Sequence, residues 1–162
     1  MVKKRILFVC DGNIFRSSVA ERLFKFYFGD KFIVSSAGVT AKYSGKAIEE
    51  VISKDVLKRE KDTRISLDGH VIKRVDKNVM SSSDFVFVMD NKNKNKLARK
   101  FPQFSKKIFL LKKFAGYKKN LEIPDAKDKP VEFLDKVYED IKNSIKRIKK
   151  KDLISQMVSN HI

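Results

Sequence analysis

Short apolar runs alternate along the chain with longer segments that carry apolar residues at helical spacing. The run over residues 5–9 is continuous, which is typical of a strand buried on both faces of a sheet. Further apolar runs over residues 32–35, 84–89 and 108–111 predict three more strands. The pattern therefore predicts strands that are separated by segments long enough to hold helices.

Helices are predicted over residues 18–28, 47–57, 91–100 and 131–148. The last of these has the clearest apolar face, formed by Leu134, Val137, Tyr138, Ile141, Ile145 and Ile148. Strands that alternate with helices imply a parallel sheet. We therefore expect an α/β fold over residues 1–162: one domain with a four-stranded parallel sheet, helices on both faces, and a tail that frays from about residue 152.

Cysteine content and hydropathy exclude a disulfide-bonded domain, a cysteine zinc site and a membrane-spanning run. Cys10 is the only cysteine, so neither an intrachain disulfide nor a cysteine zinc cluster can form, and we expect no metal and no cofactor. No apolar run is long enough to span a bilayer. The apolar run that follows the basic N-terminal residues is too short for a secretory signal, and a cytoplasmic location is expected.

The chain is strongly basic, with 37 Lys and Arg against 20 Asp and Glu and a formal net charge of +17. Such a charge attracts polyanions. The basic residues are spread along the chain and do not interleave with aromatic residues as they do in nucleic-acid-binding modules. We therefore do not expect nucleic acid as a partner, and the pattern leaves the oligomeric state undefined.

The chemistry is expected after the first strand, because ligands of parallel sheets bind beyond the carboxyl ends of the strands. Residues 10–17 read Cys-Asp-Gly-Asn-Ile-Phe-Arg-Ser and join that strand to a helix N-terminus, which attracts anions. Gly12 and Asn13 tolerate the backbone angles of a tight loop. Arg16 offers a planar fork to two phosphate oxygens, and Cys10 is expected to react as a thiolate. Together these features predict a phosphate-binding loop with its own nucleophile.

The loop resembles that of the low-molecular-weight protein-tyrosine phosphatases, which runs Val-Cys-x-Gly-Asn-Ile-Cys-Arg-Ser-Pro and continues with Ala-Glu. The chain matches it at Val9, Cys10, Gly12, Asn13, Ile14, Arg16, Ser17, Ala20 and Glu21. Further segments resemble the family in the same order, at residues 35–38, 43–47, 69–74, 84–91 and 123–125. The resemblance implies a phosphomonoester hydrolase, in the first place a protein-tyrosine phosphatase that works through a phosphocysteine intermediate.

The resemblance also implies roles for individual residues. Cys10 would attack phosphorus, Arg16 would hold the phosphoryl oxygens, and Asp125 would protonate the leaving group. The other substrate-binding positions would be Asp11, Gly12, Asn13, Ile14, Phe15, Ser17 and Tyr43, with Ser17 as a hydrogen-bond donor to the sulfur. Ser36 and His70 would support the loop. The expected substrate is a phosphorylated protein or a small aryl phosphate.

Two departures from the family's pattern bear on specificity. Phe15 stands where the family has a second cysteine. Residues 126–128, Ala-Lys-Asp, replace the proline and aromatic pair that follow the acid in the family, so that Asp128 is a neighbouring carboxylate.

Other functions on the same fold remain as alternatives. One is a protein-arginine phosphatase or another small phosphomonoesterase. The resemblance implies threonine at the position of Ile14 in the arginine-specific group, whereas isoleucine at this position favours aryl phosphates. Arsenate reductases that relay a disulfide need further cysteines, which this chain lacks. A basic nucleic-acid-binding protein that retains the fold is the remaining alternative.

Overall fold

A computed structural model describes residues 2–52 and 65–160 of the chain. The strands are β1 (Arg5–Cys10), β2 (Ile33–Gly38), β3 (Phe85–Val88) and β4 (Ile108–Leu110). They form a four-stranded sheet in the order β2-β1-β3-β4, and every neighbouring pair is parallel. The predicted four-stranded parallel α/β fold is confirmed.

Helices follow or precede each strand. The α-helices of the described residues are α1 (Arg16–Phe28), α2 (Lys77–Ser82), α3 (Asn91–Lys100), α4 (Leu111–Phe114), α5 (Glu132–Lys150) and α6 (Leu153–Ser159). Single 3-10 segments occupy Gly29–Lys31, Ile48–Glu50 and Pro102–Lys107. Among these helices, none has the length and apolar character needed to cross a membrane.

Two apolar layers cover the two faces of the sheet. The side chains of β1 point alternately into one layer and the other. Ile6 and Phe8 pack in the layer that also contains the apolar sides of α1 and α5. Leu7 and Val9 pack in the opposite layer, with residues of α2 and α3. All four side chains are fully buried, which explains why this strand is apolar at consecutive positions.

Three stretches differ from the sequence-based expectation. The short helix α2 was not predicted; it begins where Asp76 Oδ1 accepts a hydrogen bond from the N–H of Val79 at 2.8 Å. Of the helix predicted over residues 47–57, the structure shows one 3-10 turn at Ile48–Glu50, and residues 53–57 lie outside the described residues. The segment expected to fray from residue 152 contains α6, whose Ile154 is buried against the main core.

The strand order places the carboxyl ends of β1 and β3 side by side, with Val9 opposite Val88. On the other side of β1, Cys10 pairs with Gly38 of β2. The chain crosses from β1 to β2 in one direction and from β2 to β3 in the other. A crevice opens beyond the strand ends where such connections diverge, and the segment after Cys10 lies there.

Candidate active site

The loop between β1 and α1 occupies residues 11–15. Asn13 has φ 55°, a left-handed conformation that asparagine adopts more readily than most residues. At the start of α1, Phe15 makes no side-chain hydrogen bond to cap the helix. The side chain at the N-cap therefore occupies none of the first N–H groups of the helix, and the site carries the partial positive charge of a helix N-terminus.

The fully buried side chain of Asn13 holds the loop in shape. Its Nδ2 donates to Ser17 Oγ at 2.9 Å and to Ser36 Oγ at 3.0 Å. Its Oδ1 accepts from the N–H of Lys73 at 2.9 Å. Both hydrogens of the amide are thus used, and one asparagine ties the loop to β2 and to the segment before α2.

A chain of hydrogen bonds connects the sulfur of Cys10 to two serines and a carboxylate. Ser17 Oγ lies 3.0 Å from Cys10 Sγ and already accepts from Asn13. Its own hydrogen remains available to the sulfur, and Ser17 is the donor of this pair when Cys10 is a thiolate. Ser36 Oγ likewise accepts from Asn13 and donates to Glu21 Oε2 at 2.6 Å. The chain of bonds ends on a carboxylate at one side and on the thiol at the other.

A buried histidine supports the same loop from behind. His70 Nε2 lies 2.9 Å from the carbonyl oxygen of Asn13, so this nitrogen carries the hydrogen and donates it. Burial lowers the pKa of His70 below its usual value, although the bond to Asn13 acts in the opposite direction. The imidazole is therefore neutral at neutral pH, and it braces the loop without adding a charge.

The end of β2 touches the loop directly. A Cβ added at Gly38 would lie 2.7 Å from the carbonyl oxygen of Asp11 and 2.8 Å from the nitrogen of Asn13. These are backbone atoms that cannot rotate away, so only glycine allows this approach.

Arg16 is held by acceptors on three sides. Nη1 donates to Asp90 Oδ2 at 2.7 Å and to the carbonyl oxygen of Ile123 at 2.9 Å. Nη2 lies 3.3 Å from Asp125 Oδ2. Burial alone would lower the pKa of Arg16, but Cys10, Asp90 and Asp125 together raise it above its usual value. The guanidinium is a fixed positive charge that bridges the ends of β1 and β3.

A cavity of about 630 Å³ lies over this arrangement. Cys10, Arg16 and Asp125 all line it. The other lining residues are Asp11, Gly12, Ile14, Phe15, Thr40, Lys42, Tyr43, Ile52, Ala126, Lys127, Lys129, Val131 and Leu134. Asp128 is not among them. The structure therefore brings the three predicted catalytic residues to one cavity, which Asp128 does not line.

The remaining predicted residues fall into two positions. Asp11, Gly12, Ile14, Phe15 and Tyr43 line the cavity. Asn13, Ser17, Ser36 and His70 lie behind it, in the hydrogen-bond network that shapes the loop.

Sequence reasoning assigned no role to three residues that the structure places in the site. Asp90 accepts a hydrogen bond from Arg16, and Glu21 accepts one from Ser36. Gly38 lies against the backbone of the loop. Gly38 is the last residue of β2, and Asp90 follows the end of β3 at Val88; both strands pair with β1. Both residues follow runs that the sequence predicts to be strands, and this position was the available signal.

This arrangement of cysteine, loop and arginine has a known counterpart. The chain matches the family model of the low molecular weight phosphotyrosine protein phosphatases over residues 5–158. The chain belongs to this family. The predictions of this family and of a phosphatase are therefore confirmed.

Relatives of this low molecular weight phosphatase differ in their named substrates. A protein-arginine-phosphatase of Bacillus subtilis is 36% identical over 112 residues, which are 67% of this chain and 71% of the relative. The low molecular weight protein-tyrosine-phosphatase Wzb of Escherichia coli is 31% identical over 133 residues, 82% of this chain and 84% of the relative. The crystal structure of a low molecular weight protein tyrosine phosphatase from T. tengcongensis has a TM-score of 0.79 at 29% identity, with coverage of 92% of this chain and 99% of that chain.

Proposed function

We propose that this phosphatase hydrolyses phosphotyrosine in proteins through a phosphocysteine intermediate, with Cys10 as nucleophile, Arg16 as phosphate clamp and Asp125 as general acid. The observation that carries the proposal is that all three side chains line one cavity beside a helix N-terminus. A cytoplasmic location is part of the proposal, because a catalytic thiol stays reduced in that compartment.

In the first step, the Cys10 thiolate attacks phosphorus while the bond from phosphorus to the aryl oxygen breaks. Arg16 and the N–H groups of the loop hold the equatorial oxygens, where negative charge is concentrated in the transition state. Asp125 gives its proton to the leaving oxygen. The products of this step are a phenol and phosphocysteine.

In the second step, water attacks the phosphocysteine and the sulfur leaves as a thiolate. Asp125, now ionised, takes a proton from the water. Ser17 donates its hydrogen bond to the sulfur, from 3.0 Å, and stabilises the charge that develops there. The step releases inorganic phosphate and restores Cys10.

The lining of the cavity supports an aryl phosphate over phosphoarginine. Ile14, Phe15 and Tyr43 give the cavity apolar and aromatic surface that suits a phenyl ring. A guanidinium would need acceptors, and the carboxylates that line the cavity, Asp11 and Asp125, already contact Lys96 and Arg16. Because relatives are named for both substrates, phosphotyrosine and phosphoarginine should be compared directly on the same preparation.

The test combines a nucleophile variant with a pair of carboxylate variants. Cys10→Ser should abolish turnover of an aryl phosphate and keep phosphate binding. Asp125→Asn should slow turnover by roughly a hundredfold, the usual scale of general acid catalysis, with a smaller loss for activated esters that need less protonation. Asp128→Asn is the matched control and should leave the rate near that of the wild type.

The outcomes separate the assigned roles. Turnover that survives Cys10→Ser, or that a chelator removes, overturns the proposed nucleophile chemistry. A larger loss in Asp128→Asn than in Asp125→Asn overturns the assignment of the acid.

A further inference from the structure

The mouth of the cavity carries Lys42, Lys127 and Lys129, which we call the lysine rim. All three residues are exposed, and all three line the cavity that contains Cys10. Lys127 stands in the stretch where the resemblance to the family leads one to expect a proline and an aromatic pair. The rim therefore replaces apolar wall with positive charge.

The rim lysines approach the cavity from two walls. Lys42 lies beside Tyr43, with Nζ 5.6 Å from the centre of the tyrosine ring. On the other wall, the N–H of Lys129 donates to the carbonyl oxygen of Ala126 at 3.1 Å and closes a turn. The N–H of Lys127 donates to Asp125 Oδ1 at 3.0 Å, which ties this turn to the general acid.

The carboxylates that line the cavity already form ion pairs with basic side chains outside the lysine rim. Asp11 Oδ1 lies 3.4 Å from Lys96 Nζ, and Asp125 is paired with Arg16. Within residues 2–52 and 65–160, no carboxylate lies within 4.0 Å of the amino groups of the lysine rim. As far as the described residues go, these charges are available to anionic groups on a substrate.

We propose that the lysine rim selects phosphotyrosine segments whose neighbouring residues are acidic. The inference rests on the proposed phosphotyrosine activity. With the phosphoryl group in the loop, the flanking residues of a peptide leave the cavity past both walls, where carboxylates can pair with the rim. Each exposed ion pair is expected to contribute roughly a threefold gain in affinity, so that two acidic flanking residues together contribute about tenfold.

The experiment uses phosphotyrosine peptides of equal length that differ only in their flanking residues: glutamate, glutamine or lysine. The rim variant carries Lys42→Gln, Lys127→Gln and Lys129→Gln together. The control variant carries Lys3→Gln, Lys31→Gln and Lys106→Gln, which removes the same charge near the amino ends of β1, β2 and β4, at the opposite edge of the sheet. The readout is the ratio of kcat/KM between acidic and neutral peptides within each protein.

The wild type and the control variant should prefer the acidic peptide over the neutral one by about tenfold, mainly through KM, and the rim variant by less than about twofold. The preference should also shrink as salt rises towards 1 M, where the Debye length is about 3 Å. If the ratio of kcat/KM is equal in all three proteins, or falls as much in the control variant as in the rim variant, the lysine rim does not select acidic substrates. Failure of the wild type to hydrolyse any of the peptides instead overturns the proposed phosphotyrosine activity.

Discussion

Replacing Asp90 by asparagine removes the carboxylate that orients Arg16. Asp90 Oδ2 accepts from Arg16 at 2.7 Å, and its Oδ1 accepts from the N–H of Asn93 at 2.7 Å, where it caps helix α3. Asparagine is an equally good helix cap. The variant Asp90→Asn therefore keeps the helix start and removes the carboxylate from the guanidinium.

The magnitude follows from how deeply the pair is buried. The side chain of Arg16 is only 4% exposed and that of Asp90 is 17% exposed, so solvent screens the pair weakly. A hydrogen bond to a charged group contributes about 1.5–3 kcal/mol. Arg16 would keep Ile123 and Asp125 as acceptors and lose its shortest contact. We expect kcat to fall by roughly ten- to a hundredfold, since about 1.4 kcal/mol corresponds to a factor of ten, with a smaller change in KM.

The assay is steady-state hydrolysis of an aryl phosphate, with urea unfolding of the same preparations. Asp76→Asn is the matched control, because Asp76 caps helix α2 in the same way and the structure gives it no bond to Arg16 among the described residues. Its kinetic constants should match those of the wild type. If Asp90→Asn keeps kcat within twofold of the wild type, the orientation of Arg16 by Asp90 is not required for catalysis.

Three further predictions concern the loop and its thiol. Gly38→Ala should lower the free energy of unfolding by about 1–3 kcal/mol and reduce kcat, because its Cβ would meet loop backbone; urea unfolding and kinetics check this, and a fully active variant contradicts it. The depressed pKa of His70 contributes stability that is present above its unfolded pKa of about 6.5 and is lost as pH falls through the lower folded pKa. His70→Gln, which keeps a donor for Asn13, should flatten that acid-side loss in unfolding midpoints measured across pH, and an unchanged slope would assign it to other groups. Peroxide should inactivate Cys10 with recovery by reductant that declines over time, whereas Phe15→Cys should recover more completely; intact mass distinguishes the products, and full recovery of the wild type after long exposure argues against this.

The sheet was predictable because its strands are buried on both faces. Phe8 and Val9 point into different apolar layers, so consecutive apolar residues mark the strand in the sequence. The loop was predictable because a cysteine and an arginine six positions apart stand at the end of that strand, where parallel sheets bind ligands. The acid Asp125 was found only through the family resemblance, since an aspartate after a proline is also typical of a turn.

Other parts of the site depend on contacts between distant segments. Asp90 is 74 positions from Arg16, and its importance follows from the pairing of β3 with β1 rather than from its neighbours in sequence. Gly38 is required by the backbone of residues 11–13, which only the folded chain brings near it. Helix α2 has six residues, too few for a clear apolar period, and its cap at Asp76 was the only local signal.

Trapping and locating the phosphoryl-enzyme tests the proposed role of Cys10 without relying on rate comparisons. An aryl phosphate is mixed with the wild type and with Asp125→Asn, the reactions are quenched in acid after milliseconds to seconds, and intact mass is followed by peptide mapping. The proposed mechanism requires one phosphoryl group, bound to the sulfur of Cys10, that persists longer in Asp125→Asn because activation of the attacking water is slowed. Turnover without any phosphoryl-enzyme, or a phosphoryl group on another residue during turnover, would contradict it.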